Sequence, residues 1–297
     1  LLARAGVGTL RLVDRDLLDV TNLHRQVLYD EADVSQGLPK AVAAARRLRA
    51  VNSDVTVHEV VADVSPRTLA PLLDGVDLVL DGTDNFETRY LINDACVSRR
   101  MPWVYGGVVG TVGMTLTVLP GEGPCLRCVF PEPPPAGSLP TCDTVGVLNT
   151  GPALVAALQA TEAIKLWVDR DAVDTKLRHV DLWDGSSRTL EVARADDCPT
   201  CVRGDYGFLD ESAHSWTTTL CGRNAVQITP PTDSPTPDMD RLREQLERVG
   251  TVRDNGLLLQ AQIEGHTLLL FPDGRVVVQG TTDPAEARSL HARFVGG

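Results

Sequence analysis

The chain has 297 residues, with 28 Lys plus Arg against 40 Asp plus Glu and a formal charge of −12. So acidic a surface disfavours nucleic acid and anionic membranes as partners. The residues are 43% hydrophobic but only 4% aromatic, so the core must be aliphatic, and no apolar run approaches a transmembrane helix in length. There is no signal-peptide pattern, and seven cysteines with metal-like spacing fit a reducing, cytoplasmic setting better than a disulfide framework.

Leu1-Leu-Ala-Arg-Ala5 followed by Gly6 reads as the last turn of a helix and its terminal glycine. No helix start precedes it, so a front piece of the chain is expected to be missing. Residues 9–13 are predicted as a strand ending at Asp14, 39–51 as an Ala- and Arg-rich helix, and 55–61 and 76–80 as strands. A helix over 86–99 and a strand over 103–105 follow. Strands alternating with helical crossovers predict an α/β fold with a doubly wound, mostly parallel sheet. Residues 111–119 alternate and predict an antiparallel strand. The Pro- and Gly-rich stretches 131–135 and 137–140 must be loop. Gly151-Pro152 opens a helix with Leu154, Ala157, Leu158, Thr161 and Ile164 at helical spacing.

A second unit is expected beyond Cys201, giving domains of 1–204 and 205–297. Its predicted parts are strands over 224–229, 257–263, 267–271 and 275–279, with helices over 239–249 and 283–294. A Pro-rich linker covers 230–237 and a Pro272-Asp-Gly274 turn joins two strands. This is a small α+β domain.

Cys125-Leu-Arg-Cys128 and Cys198-Pro-Thr-Cys201 are two CxxC knuckles. One knuckle supplies one edge of a tetrahedron, and two close a structural four-sulfur zinc site with no open position for substrate. Unrelated thiols, or a redox pair, are the competing explanation. Cys142 lies outside both knuckles in the Pro/Gly-rich loop, where it is either an inert thiol or a nucleophile with a lowered pKa. Cys96 falls on a predicted helix and reads as core.

Asp14 ends a strand, as acids that bind ribose hydroxyls do in nucleotide folds, although an isolated acid there is equally a turn residue. Arg25 and Lys40 can bracket a polyphosphate, one as a fork and one as a point charge; each taken singly reads as a solvated base. Asp81-Gly-Thr-Asp84-Asn-Phe follows a predicted strand at the end where such sheets bind ligands. An acid there can hold magnesium between phosphates, and Thr83, Asp84 or Asn85 can cap the next helix.

Together, Val13-Asp14-Arg-Asp16, Thr21-Asn-Leu-His-Arg-Gln26, Gly37-Leu-Pro-Lys-Ala41, Asp81-Gly-Thr-Asp-Asn-Phe86, both CxxC pairs and Leu158-Gln-Ala-Thr-Glu-Ala-Ile-Lys165 resemble the ThiF/MoeB/HesA family, bacterial relatives of ubiquitin-activating enzymes. The resemblance spans about residues 1 to 204 and implies a Rossmann-like fold. It implies use of ATP and Mg2+ to adenylate the C-terminal glycine of a small ubiquitin-like sulfur carrier ending in Gly-Gly, and a homodimer. Asp14 would hold the ribose, Asn22, Arg25 and Lys40 the phosphates, with Gln26 beside them, and Asp84 the magnesium. Cys142 would match the loop cysteine that some members use for covalent or sulfur transfer, with a sulfurtransferase or cysteine desulfurase as partner. The family's glycine-rich loop would precede Leu1. Two other classes remain: a dinucleotide-dependent oxidoreductase on the same fold class, and a relative that binds a carrier without activating it. The chain's own end, Arg293-Phe-Val-Gly-Gly297, resembles the carriers' tail, although glycines also commonly stop helices.

Overall fold

A computed structural model describes residues 1–134, 145–210, 217–220 (backbone only), 224–230 and 236–295. The first helical turn, α1 (Leu2–Ala5), ends as the sequence predicts, on Gly6 at φ 82°, a left-handed conformation that glycine adopts at no steric cost. Strand β1 (Thr9–Val13) pairs in parallel with β2 (Thr56–Val60), Thr9 opposite Thr56 and Val13 opposite Val60. Between them come the short α2 (Glu31–Ser35) and the crossover helix α3 (Lys40–Val51). The buried Ala41, Ala43, Ala44 and Ala45 give α3 a narrow face. Ala45 and Leu48 pack against Ala3, Val55 and Val57, with Leu10 and Leu12 half-buried beside them.

After α4 (Pro66–Leu72), capped by Ser65, the short strand β3 (Val79–Leu80) pairs in parallel with β4 (Trp103–Val109). Helix α5 (Phe86–Ser98) joins them. From β4 onward the direction changes. Gly110, at φ 59°, makes a tight turn into β5 (Val112–Val118), and the sheet continues antiparallel through β6 (Leu177–Asp181) and β7 (Ser186–Leu190). The strand order is β3-β4-β5-β6-β7, and β1-β2 form a separate parallel pair. The α/β character and parallel pairs hold, but the expectation of a mostly parallel sheet is corrected to a mixed one. For β4–β5 and β6–β7 the reason is local: connections of a few residues around Gly110 and Gly185 (φ 73°) reach only an antiparallel neighbour, whereas a parallel one needs a crossover; β5 and β6 pair antiparallel across a long, helix-bearing connection. Helix α7 (Thr150–Val168) packs on β4 and β5, and the single turn α6 (Leu126–Val129) packs on α5.

Chain contacts divide into two units, Leu1–Ser212 and Ala213–Gly297. The 3-10 turn Gly207–Leu209 belongs to the first, because the Phe208 ring lies 4.9 Å from that of Tyr90 on α5. In the second unit β8 (Thr217–Leu220), β9 (Ala225–Ile228), β10 (Thr251–Asp254), β11 (Leu259–Ile263), β12 (His266–Leu270) and β13 (Val276–Gln279) form one antiparallel sheet, ordered β10-β11-β12-β13-β9-β8. Alternate residues of one face, including Leu259, Ala261, Ile263, Leu268 and Leu270, bury against Leu242 and Leu246 of α8 (Met239–Glu247) and Ala287 and Leu290 of α9 (Pro284–Phe294). Among the described residues, no helix is long and apolar enough to cross a membrane.

Candidate functional site

The C-terminal ends of β1 and β3 carry the acids that the sequence singles out. Beyond β1, the Asp14 carboxylate accepts from the Asp16 N–H at 2.9 Å, which turns the chain at once. Asp16 in turn meets the start of α3: its carbonyl accepts the Lys40 N–H at 2.9 Å and its carboxylate pairs with Lys40 Nζ at 3.0 Å. Lys40 is only 5% exposed, so this ammonium is held in place rather than solvated. Tyr29 donates to the Lys40 carbonyl at 3.2 Å. Burial first, then the charges of Asp14 and Asp33, push the Tyr29 phenol well above its ordinary range, so it remains a neutral donor.

Asn22, Arg25 and Gln26 share one tight turn. Asn22 is buried, and its side-chain oxygen accepts from the Asp19 N–H at 3.2 Å, closing a capping box on the 3-10 turn Val20–Asn22. Its amide nitrogen is thereby left as the group that can donate to a ligand. Arg25 donates to the Thr21 carbonyl at 2.9 Å, and Gln26 Oε1 is buried with no hydrogen-bond partner among the described residues.

Asp84 is exposed on the turn between β3 and α5. The cap of α5 is Asn85, which accepts the Thr88 N–H at 2.8 Å, so of the three possible caps Asn85 takes the role and Asp84 is spared it. Under the turn lies a buried ion pair, Asp81 with Arg89, at 3.0 Å. Gln159 of α7 donates to the Asp81 carbonyl at 2.8 Å and to that of Val104 at 3.0 Å, tying β3 and β4 together below the site. A methyl group at Gly106 would meet this Gln159 amide at 2.5 Å. Asp16, Asp81, Arg89 and Gln159 are the residues that sequence reasoning did not assign. Gln159 and Asp16 sit inside the quoted motifs, whereas nothing local marks Asp81 and Arg89 as partners.

The four knuckle cysteines converge, all four sulfurs within 4.8 Å of one another. Cys125 and Cys198 are 3.6 Å apart, Cys128 and Cys201 3.5 Å, and Cys125 and Cys128 4.0 Å. A tetrahedron of zinc–sulfur bonds of about 2.3 Å has edges of about 3.8 Å, so the donor set and spacing fit zinc. Helix α5 supports both knuckles. Asn93 accepts the Leu126 N–H at 2.9 Å, and Asp94 accepts the Thr200 hydroxyl at 2.8 Å and the Phe208 N–H at 3.2 Å. Within the cluster, a hydrogen bond from the Cys125 thiol holds the Cys128 pKa below the ordinary thiol range. The fifth thiol, Cys96, is buried on α5, and burial pushes its pKa up to about 12, which suits a core residue. Cys142 and Cys221 lie outside the described residues.

A sequence model of the ThiF family matches residues 1–200. The chain is 39% identical over 299 residues to the sulfur carrier protein ThiS adenylyltransferase of Bacillus subtilis, covering 100% of this chain and 88% of the relative. It is 41% identical over 211 residues to the SAMP-activating enzyme E1 of Haloferax volcanii, covering 71% and 77%. Among solved structures, E. coli MccB superposes with a TM-score of 0.58 at 24% identity, over 68% of this chain and 60% of that one, which supports the fold alone. The motifs, the four-sulfur cluster and these matches together place the chain in the ThiF family.

Proposed function

We propose that this protein adenylates the C-terminal glycine of a small ubiquitin-like sulfur-carrier protein, consuming ATP and releasing pyrophosphate. The observation that carries this reading is the 39% identity along the whole chain to a sulfur-carrier adenylyltransferase. In the reaction, a carboxylate oxygen of the carrier attacks the α-phosphorus. The bond from that phosphorus to the bridging oxygen breaks, and pyrophosphate leaves with the electron pair. No general base is needed, because a carboxylate is already ionised at neutral pH. The protein's task is to neutralise charge and fix the approach of one anion to another.

The residues suit that task. Asp14 offers a carboxylate to ribose hydroxyls at the strand end. Lys40 supplies a desolvated positive charge, and its release from Asp16 is the movement that binding phosphate would require. The Asn22 amide and the Arg25 fork are further phosphate donors, with Gln26 adjoining. Asp84 is an exposed hard oxygen donor of the type Mg2+ accepts alongside waters and phosphates. Bound there, the ion would supply charge neutralisation at the phosphates. The four-cysteine cluster would hold Zn2+ in a structural role.

The test is ATP–pyrophosphate exchange with the Gly-Gly carriers of the source organism. Exchange with one of them is the expected result; carrier binding that is unaffected by ATP, without exchange, would sink the proposal. Cys142 is proposed as the acceptor in a second, covalent step: its thiolate attacks the carrier's acyl-adenylate carbonyl, the bond from that carbonyl to the AMP oxygen breaks, and AMP leaves with the electron pair as a thioester forms. Exchange is therefore expected to persist in Cys142→Ser while any covalent carrier or sulfur adduct disappears. Survival of the adduct would return Cys142 to the inert thiols.

A further inference from the structure

We infer that Arg89 is a positioning residue for Asp84, acting from beneath the β3–α5 turn; this rests on the reading of Asp84 given above. Arg89 is 7% exposed, and its guanidinium faces five groups at once. Its Nε donates to Asp81 Oδ2 at 3.0 Å, and its Nη2 donates to the carbonyls of Thr83 at 2.5 Å and Gly106 at 3.0 Å. Its plane also lies over the rings of Phe86 and Tyr105, 5.5 and 5.2 Å from their centroids. The other Asp81 oxygen takes the Thr83 N–H at 2.8 Å and the Thr83 hydroxyl at 2.7 Å.

Thr83 is thus gripped at both ends, its N–H by Asp81 and its carbonyl by Arg89. The Thr83 carbonyl and the Asp84 N–H belong to one planar peptide group, so holding that oxygen fixes the plane from which Asp84 departs. On the far side, Asn85 is fixed as the cap of α5. Asp84 is exposed between two anchored residues, which is how a single carboxylate keeps its direction in water.

The pair adds little net charge to the site, because the Asp81 side chain is 0% exposed and lies directly against the guanidinium. Arg89 therefore acts by geometry. A lysine would retain the charge but could not span Asp81, Thr83 and Gly106 with one ammonium on a flexible stem. Buried ion pairs are weak contributors to stability, which leaves the turn's shape as the account of why a charged pair sits there.

The experiment uses the full chain with zinc bound. Mn2+ binding in the presence of ATP is read from the free-ion electron paramagnetic resonance signal, which requires no turnover. Wild type, Arg89→Lys, Asp84→Asn and the double variant are compared, with zinc content and thermal midpoint as controls. Arg89→Lys is expected to weaken Mn2+ binding about 10-fold at unchanged zinc content, and the double variant to bind no more weakly than Asp84→Asn alone, as linked residues do. Asp81→Asn removes the same grip from the other partner and is expected to weaken Mn2+ similarly, so it serves if Arg89→Lys does not fold. Mn2+ binding by a folded Arg89→Lys or Asp81→Asn within twofold of wild type overturns the inference, as does additivity in the double variant. Mn2+ binding unaffected by Asp84→Asn overturns the reading of Asp84 itself, and the inference falls with it.

Discussion

Asp84→Asn is expected to lower carrier-dependent ATP–pyrophosphate exchange by about 10²- to 10³-fold, the usual consequence of removing one preorganised group that stabilises developing charge. The substitution keeps the shape and removes the negative charge. Asp84 is exposed and does not cap α5, so no buried bond is lost, and stability is expected to change by no more than about 0.5 kcal/mol. Thermal unfolding that coincides with wild type, alongside lost exchange, separates a lost ligand from a damaged fold. Exchange within threefold of wild type would remove Asp84 from the site.

The second large effect concerns the four-cysteine cluster. Each sulfur contact between the knuckles joins residues 73 apart in sequence, Cys125 to Cys198 and Cys128 to Cys201. The cluster also lies in the packing of Tyr90, Trp103, Tyr105, Leu116 and Leu126. Cys198→Ser, or removal of the ion by a chelator, should destabilise the protein by several kcal/mol, since zinc binding is coupled to folding. In a unit of this size that corresponds to roughly 10 °C in thermal midpoint. Two measurements decide it: one zinc per chain by metal analysis, and its loss together with the fall in midpoint. A chain that contains no zinc and melts unchanged after Cys198→Ser contradicts the assignment.

The two knuckles were legible because both cysteines of a pair stand three apart and need no tertiary context. The strand–helix alternation through Val79 and Trp103, and most of the second unit's sheet, were legible for the same reason: their period is local. The hairpin β6–β7 was not. Ser186–Leu190 is largely exposed and reads Ser-Ser-Arg-Thr-Leu, so it offers little apolar alternation to detect. The pairing of Asp81 with Arg89 was also invisible, because it links a strand end to a helix eight residues on and is completed by Gly106 and Gln159, which only folding brings near. Asn22 stands out in the sequence only through its motif, and the commitment of its side-chain oxygen to a cap is visible only in the fold.

Helix α5 sets a rule for anyone who recombines this protein with a relative. Its first turns carry Arg89 under the β3–α5 turn, and the following turn carries Asn93 and Asp94 against the two knuckles. Tyr90, between them, donates to the Phe130 carbonyl at 2.7 Å, just past Cys128. A chimera spliced within 86–98 would inherit one parent's turn and the other parent's knuckle supports. Exchange of the CxxC-bearing segments from a donor parent should therefore take the whole of α5 with them, and crossovers belong before Asp81 or inside the second unit's own sequence.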